Sequence, residues 1–177
     1  VLAPPQLVIA GYAPVPDIKT HITPNIKERG THLLLIDPSN GKCRLGGSAL
    51  AQVFGQLGNI PPDIENPDAL AKTFQIAQLL IEKGLVLSIH DRSDGGLIIA
   101  ALEMAFAGNS GLTLDLSEKD DPQAVLFSEE AGLIIETNNV EEVCRAIALV
   151  PGPAVDISII GKIPEAHEVT IHWNQEL

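Results

Sequence analysis

Positive charge is what this sequence has least of: 11 Lys and Arg stand against 23 Asp and Glu, a formal net charge of −12. A chain this acidic lacks the basic field that nucleic-acid phosphates select, and no local Lys/Arg cluster offsets it, so nucleic acid is not an expected partner. Aromatic residues make up 3% of the chain, which leaves Leu, Ile, Val and Ala to build the core. No apolar run approaches the roughly 18 to 20 residues that cross a bilayer, and Val1-Leu2-Ala3-Pro4-Pro5 has neither a basic flank nor the apolar stretch of a signal peptide. A soluble, cytoplasmic protein without a membrane partner is the expectation. Cys43 and Cys144 are too few and too far apart for a disulfide framework or a zinc site, and are read as reduced thiols.

What is present describes an ordinary globular chain: 177 residues, 45% apolar and 19% charged, enough to bury a real core as one domain. The sequence starts without Met and opens abruptly toward a strand, so it is read as a piece of a longer polypeptide that carries part of a site.

Gln6 to Val15, partly alternating and ended by Pro14 and Pro16, reads as a first strand. Thr31 to Asp37, with its continuous Leu33-Leu34-Leu35-Ile36, reads as a central one. Ala49 to Leu57 is helical by pattern. Asn66-Pro67-Asp68 opens a second helix that Lys83-Gly84 ends, with Leu70, Phe74, Ala77 and Ile81 as the stripe packed on the sheet. Val86 to Ile89 is a buried strand and Leu97 to Ala107 a helix greasy all round. Leu112 to Leu116 alternates strictly, and Ser117 to Pro122 is an acidic loop. Leu133-Ile134-Ile135 is a strand, a helix runs from Asn139 to about Leu149, and Val155 to Gly161 is a further strand. Val169, Ile171 and Trp173 recur at period two. The order β, β, α, α, β, α, β, β, α, β predicts an α/β or α+β fold with a mixed sheet.

Two places concentrate chemistry. Between strand and helix, His90-Asp91-Arg92-Ser93-Asp94-Gly95-Gly96 packs an imidazole, two carboxylates, a guanidinium, a hydroxyl and two glycines into one turn. Asp91 and Asp94 suit a hard cation such as Mg2+, which takes one or two carboxylates together with nucleotide phosphates, and Ser93 could add a hydroxyl. The competing reading has Asp94 or Ser93 capping the helix and Asp91 paired with Arg92 at the surface. His90 is read as packed and hydrogen-bonded. Gly46-Gly47-Ser48 precedes a helix and would leave backbone N–H groups free for a phosphate, although spacing alone favours a plain loop with Ser48 as N-cap. Glu129-Glu130 beside a strand start is either a ligand site or a solvent-facing pair. No nucleophilic triad is present.

Taken together, these blocks resemble a known family. His90-Asp91-Arg92-Ser93-Asp94-Gly95-Gly96-Leu97, then Glu103-Met104-Ala105-Phe106-Ala107-Gly108 and Leu126-Phe127-Ser128-Glu129-Glu130, with Leu45 to Val53 and Leu7 to Ala13 before them, are similar to the second C-terminal-type synthetase domain of the phosphoribosylformylglycinamidine synthases. That family belongs to the aminoimidazole ribonucleotide synthetase superfamily.

The resemblance implies a three-layer domain over 1–163, with 164–177 as an edge strand or an exit linker toward a glutaminase domain. It implies an ATP-dependent ligase of purine biosynthesis that turns formylglycinamide ribonucleotide, glutamine and ATP into formylglycinamidine ribonucleotide, ADP, phosphate and glutamate. The amide oxygen is phosphorylated, and ammonia from the glutaminase then displaces phosphate from the iminophosphate. It also implies an auxiliary site holding ADP with Mg2+, for which Asp91 matches the metal ligand and Ser93 a nucleotide contact. Gly46, Gly47 and Ser48 match a phosphate-side segment, and no residue of this chain is cast as catalytic. The implied partners are the other synthetase domains and the glutaminase of the same polypeptide, and an isolated fragment would be inactive. Two alternatives stand beside this: another superfamily enzyme, such as aminoimidazole ribonucleotide synthetase, or a non-catalytic interaction module on the same fold.

Overall fold

The computed structural model describes residues 9–15, 17–117 and 121–174. A 3-10 turn at Ile18–Thr20 precedes strand β1, His32–Asp37. Two helices follow: α1, Ala49–Val53, capped by Ser48, and α2, Pro67–Glu82, capped by Asn66 with Pro67 in its first turn. Strand β2, Ser88–Asp91, runs through a short loop into α3, Gly96–Gly108. The chain continues as β3 (Leu112–Ser117), α4 (Pro122–Phe127), β4 (Leu133–Thr137), α5 (Val140–Ala148), β5 (Asp156–Lys162) and β6 (Val169–Asn174).

The six strands form one sheet in the order β2-β4-β1-β5-β3-β6. Every neighbouring pair is antiparallel except β3 and β6, which run parallel with Leu112 beside Val169 and Leu116 beside Trp173. The sheet therefore extends beyond residue 163, with β6 as one edge and β2 as the other. Apolar side chains fill both faces. Leu33, Leu35, Leu112, Leu114 and Ile134 pack under α3, while Leu34, Ile36 and Ile135 pack under α2 and α5. This gives three layers, helix, sheet and helix. The unbroken apolar run of β1 reflects a central strand covered on both sides.

Several local expectations need correction. Gln6 to Val8 lie outside the described residues, and 9–15 form no strand; Ile9, Tyr12 and Val15 are exposed. Helix α1 stops at Val53 because Gly55 and Gly58 turn the chain through positive φ. The buried face of α2 is Ala69, Thr73, Ile76, Ala77 and Leu80, so only Ala77 of the expected stripe lies fully on it, and Leu70 and Phe74 face out. Apolar residues occupy two adjacent faces of that helix, and periodicity does not say which one the sheet takes. Helix α3 is not buried all round, since Phe106 is exposed. Of the expected acidic loop Ser117 to Pro122, Ser117 ends β3, 118–120 lie outside the described residues, Asp121 caps α4 and Pro122 opens it.

One buried acid ties the irregular segment before β1 to the sheet. Glu136, fully buried on β4, accepts hydrogen bonds from the Lys27 and Glu28 amides at 2.9 and 3.0 Å and from the Thr31 and Ser88 hydroxyls, both at 2.9 Å. Each carboxylate oxygen takes two donors, so the charge is stabilised by neutral groups alone. An amide in its place would turn an NH2 toward one of the two fixed backbone N–H groups. Glu136→Gln is therefore expected to cost about 1 to 3 kcal/mol, measured as a lower urea midpoint with an unchanged slope.

Candidate functional site

The loop between β2 and α3 owes its shape to two glycines in succession. Gly95 and Gly96 both hold positive φ, +86° and +77°. A Cβ on Gly96 would come within 2.6 Å of the Phe127 carbonyl carbon, so a bare backbone is needed for α3 to start against the Leu126–Phe127 turn. Neither Ser93 nor Asp94 caps the helix; its N-cap is Gly95, with no side-chain cap bond.

Arg92 points inward and makes no surface pair with Asp91. Its guanidinium donates to the Glu130 carbonyl (2.7 Å), the Ala131 carbonyl (3.0 Å) and Asp37 Oδ1 (3.1 Å). Asp37 also accepts from the Ser39 and Gly41 amides at 2.8 and 3.1 Å. Asp91 is exposed at the loop surface. His90 lies between it and Glu103, with Nδ1 3.4 Å from Asp91 Oδ1 and Nε2 3.2 Å from Glu103 Oε2; both carboxylates therefore reach one imidazole despite the alternation of the strand.

The Gly46-Gly47-Ser48 loop keeps its donors for the chain itself. Gly46 N–H donates to the Ile60 carbonyl (2.9 Å), Gly47 N–H to Leu57 (2.6 Å) and Ser48 N–H to Leu45 (3.2 Å). These N–H groups are not free for a phosphate as the loop stands. The Ser48 hydroxyl is buried, donating to the Leu45 carbonyl and accepting the Ala51 N–H, the capping role that spacing favoured. Gly46 sits so close to Ile60 that a Cβ would approach its backbone within 2.5 Å.

Glu129 and Glu130 do not form a solvent-facing pair. Glu129 Oε1 accepts from the Ala49 N–H and from the Gly95 N–H, each at 2.8 Å, and thereby joins the start of α1 to the β2–α3 loop. Glu130, with a side chain 1% exposed, takes Arg44: Oε1 accepts from the Arg44 amide and Nε, and Oε2 from Nη2 at 2.7 Å. Arg44 then reaches Glu65 at 2.9 Å, and Glu65 pairs with Lys42. Three blocks distant in sequence, at 44–49, 92–96 and 128–131, are thus one hydrogen-bonded unit.

Two of the recesses that this unit borders bear on the site. A small pocket of about 160 Å³ lies among Ser39, Lys42, Arg44, Glu65 and Glu130. A larger groove of about 750 Å³ runs between α2 and the β2 edge, with Leu70, Phe74 and Leu133 as its apolar wall and Asp91 at its rim. Among the described residues no group of three or more His, Cys, Asp or Glu is placed to hold a metal ion, so Asp91 could supply only part of a coordination shell. The Ser93 hydroxyl has no hydrogen-bond partner among the described residues and stays available. Sequence reading missed the roles of Glu129 and Glu130, and the signal was there: an acidic pair directly after Leu126-Phe127-Ser128 and before a buried strand.

With this geometry in place, the comparisons give the class. The family model of the AIR synthase related protein, C-terminal domain, matches residues 28–174, and the chain belongs to that family. More particularly, it is 50% identical over 139 residues to human phosphoribosylformylglycinamidine synthase, covering 77% of this chain and 10% of that protein. It is 45% identical over 173 residues to the probable phosphoribosylformylglycinamidine synthase, chloroplastic/mitochondrial, of Arabidopsis thaliana, covering 94% and 12%. The chain thus spans about a tenth of the length of these relatives. Phosphoribosylformylglycinamidine synthase II of Thermotoga maritima shares the fold at a TM-score of 0.67 and 14% identity, over 88% of this chain and 25% of that one. Escherichia coli HypE, a hydrogenase maturation protein, shares it at 0.56 and 22% identity, over 85% and 48%. No helix among the described residues is long and apolar enough to cross a membrane.

Electrostatics make the unit sensitive to acid. Burial pushes the Glu130 carboxyl up, but the hydrogen bonds and charge of Arg44, with the charge of Arg92, outweigh it and hold the group below the usual glutamate range. The hydrogen bond to Glu130 raises Arg44 against the opposing effect of burial, and the Lys42 hydrogen bond lowers Glu65. A folded-state pKa below the unfolded value, about 4.3 for Glu, gives stabilisation that is present above that value and lost as pH falls through the folded one. Urea midpoints measured from about pH 6 down to pH 2.5 are expected to fall less steeply for Glu130→Gln than for the native chain, with the gap between them widest at the upper end.

Proposed function

We propose that this chain is a synthetase domain of an enzyme that makes formylglycinamidine ribonucleotide, ADP, phosphate and glutamate from formylglycinamide ribonucleotide, glutamine and ATP, and that it contributes one wall of a Mg-nucleotide site. The observation that carries this is the junction at Glu129, which brings the loops 46–49 and 93–95 to one acceptor oxygen. Support also comes from the relatives that bear the enzyme's name, and from solved structures of T. maritima PurL with ATP, ADP and formylglycinamide ribonucleotide (FGAR) bound.

Within the site, Asp91 offers an exposed carboxylate to Mg2+ and Ser93 an uncommitted hydroxyl to the nucleotide. This suits a cation that takes one or two carboxylates and completes its shell with water and phosphate oxygens. The ion would offset phosphate charge, the auxiliary and structural role that the residues here can serve. Gly46, Gly47 and Ser48 act in this reading by holding the neighbouring wall in place, and would face a phosphate only if their internal bonds opened. In this reading no side chain described here takes part in bond making; the phosphoryl and ammonia transfers belong to other synthetase domains and to a glutaminase of the same polypeptide. The cytoplasm is the compartment proposed.

Two outcomes are expected. Titration of the isolated chain with Mg-ADP should give negligible heat, because one wall of a two-domain site retains few contacts; micromolar affinity would overturn the half-site argument. In the full-length polypeptide, Asp91→Asn should weaken Mg-dependent ADP binding at least tenfold, about 1.4 kcal/mol, with less ADP co-purifying and a lower Tm. Unchanged nucleotide content would remove Asp91 from the site.

A further inference from the structure

We infer that Glu129 is a positioning residue that sets the spacing between the two nucleotide-side loops, so that ligand affinity at Asp91 and Ser93 depends on a side chain that meets neither metal nor nucleotide. This rests on the nucleotide reading above. Arg92 anchors the start of the β2–α3 turn, its backbone N–H donating to the Gly132 carbonyl at 2.9 Å and its guanidinium to Glu130, Ala131 and Asp37, and beyond it the turn is pinned at two points. Inside it, the Gly96 N–H donates to the Ser93 carbonyl at 3.0 Å. Outside it, the Gly95 N–H donates to Glu129 Oε1, and no side chain of the turn caps α3. The same oxygen takes the Ala49 N–H of α1 at an equal 2.8 Å. A single acceptor atom shared by two N–H groups leaves neither loop free to shift without breaking a charge-assisted hydrogen bond.

Two neighbours fix the backbone that carries this carboxylate. Glu130 is held by Arg44 on one side, and Ser128 is buried with its hydroxyl donating to the Arg44 carbonyl at 3.2 Å on the other. The backbone that carries Glu129 is therefore anchored to the segment leading into Gly46. Loss of Glu129 would release the Ser93–Gly95 turn while leaving the sheet and both helix layers intact. A cap that served stability alone would change the unfolding midpoint and leave ligand affinity untouched.

The test uses the full-length polypeptide and Mg-ADP, with affinity read at a temperature well below every Tm. Glu129→Ala is expected to weaken binding roughly tenfold or more, as loss of outer-shell support does at other sites. Glu129→Gln, whose amide oxygen still accepts both N–H groups, should stay within threefold of the native protein. Glu129→Asp, one methylene shorter, should behave like Ala.

Ala49→Pro removes one N–H without touching Glu129. The first helical position accepts proline, and Ser48 already has the extended ψ of 160° that a following proline requires. A severalfold loss of affinity is expected there, and this variant carries the decision if Glu129→Ala fails to fold. Affinities within twofold of native for Glu129→Ala or, failing that, for Ala49→Pro overturn the proposal whatever happens to Tm. Asp91→Asn, measured alongside, separates the two levels. If it weakens binding while these variants do not, only the positioning role falls; if it too is silent, the nucleotide reading falls and the positioning role with it.

Discussion

The site depends on how the strap 128–131 meets the rest of the molecule. Its carbonyls at Glu130 and Ala131 receive Arg92, its Glu130 carboxylate receives Arg44, and its Glu129 carboxylate receives two backbone amides. A buried guanidinium is tolerable only when its donors are met, and here Arg92 is met by two carbonyls and Asp37. That requirement fixes the turn after β1, the loop before α1 and the start of α3 relative to one another. Removing one ion from such a set leaves a partner charge buried, which costs more than the pair contributes.

The sheet explains why the functional loops lie where they do. Antiparallel pairing of β2 with β4 sets Asp91 beside Leu133, so the end of β2 and the start of β4 meet at one end of the sheet. The strap leads into β4 at that same end. The turn that follows β1 joins them there, because β1 pairs with β4 and Ile36 lies opposite Leu133. Sequence separation is large, but strand register reduces it to neighbouring positions.

Much of the architecture was legible because periodicity and turn chemistry agreed: the continuous run in β1, the Asn-Pro opening of α2, the alternation of β3 and the Asn139 cap of α5. What failed to show is equally physical. The face of α2 could not be chosen, since Leu70 and Phe74 are as apolar as Ile76 and Leu80 and the choice is made by the sheet. The motif around Asp91 was visible, whereas the destination of Arg92 was not, because an arginine beside two aspartates looks like a surface pair until the fold supplies two carbonyls and Asp37. Free N–H groups at Gly46 and Gly47 were a fair inference from composition, and the chain's own carbonyls at Ile60 and Leu57 took them.

The paired left-handed glycines bear on how sequences of this fold can diverge. Gly95 and Gly96 are demanded by backbone geometry and by the proximity of Phe127, whereas Asp91 and Asp94 are exposed and Ser93 is half-buried. Substitutions at the latter three would leave the fold standing. A protein could therefore shed its ligand and still spell out the glycines, which makes Gly-Gly at this junction a marker of shared architecture and the two side chains at 91 and 93 the markers of shared chemistry.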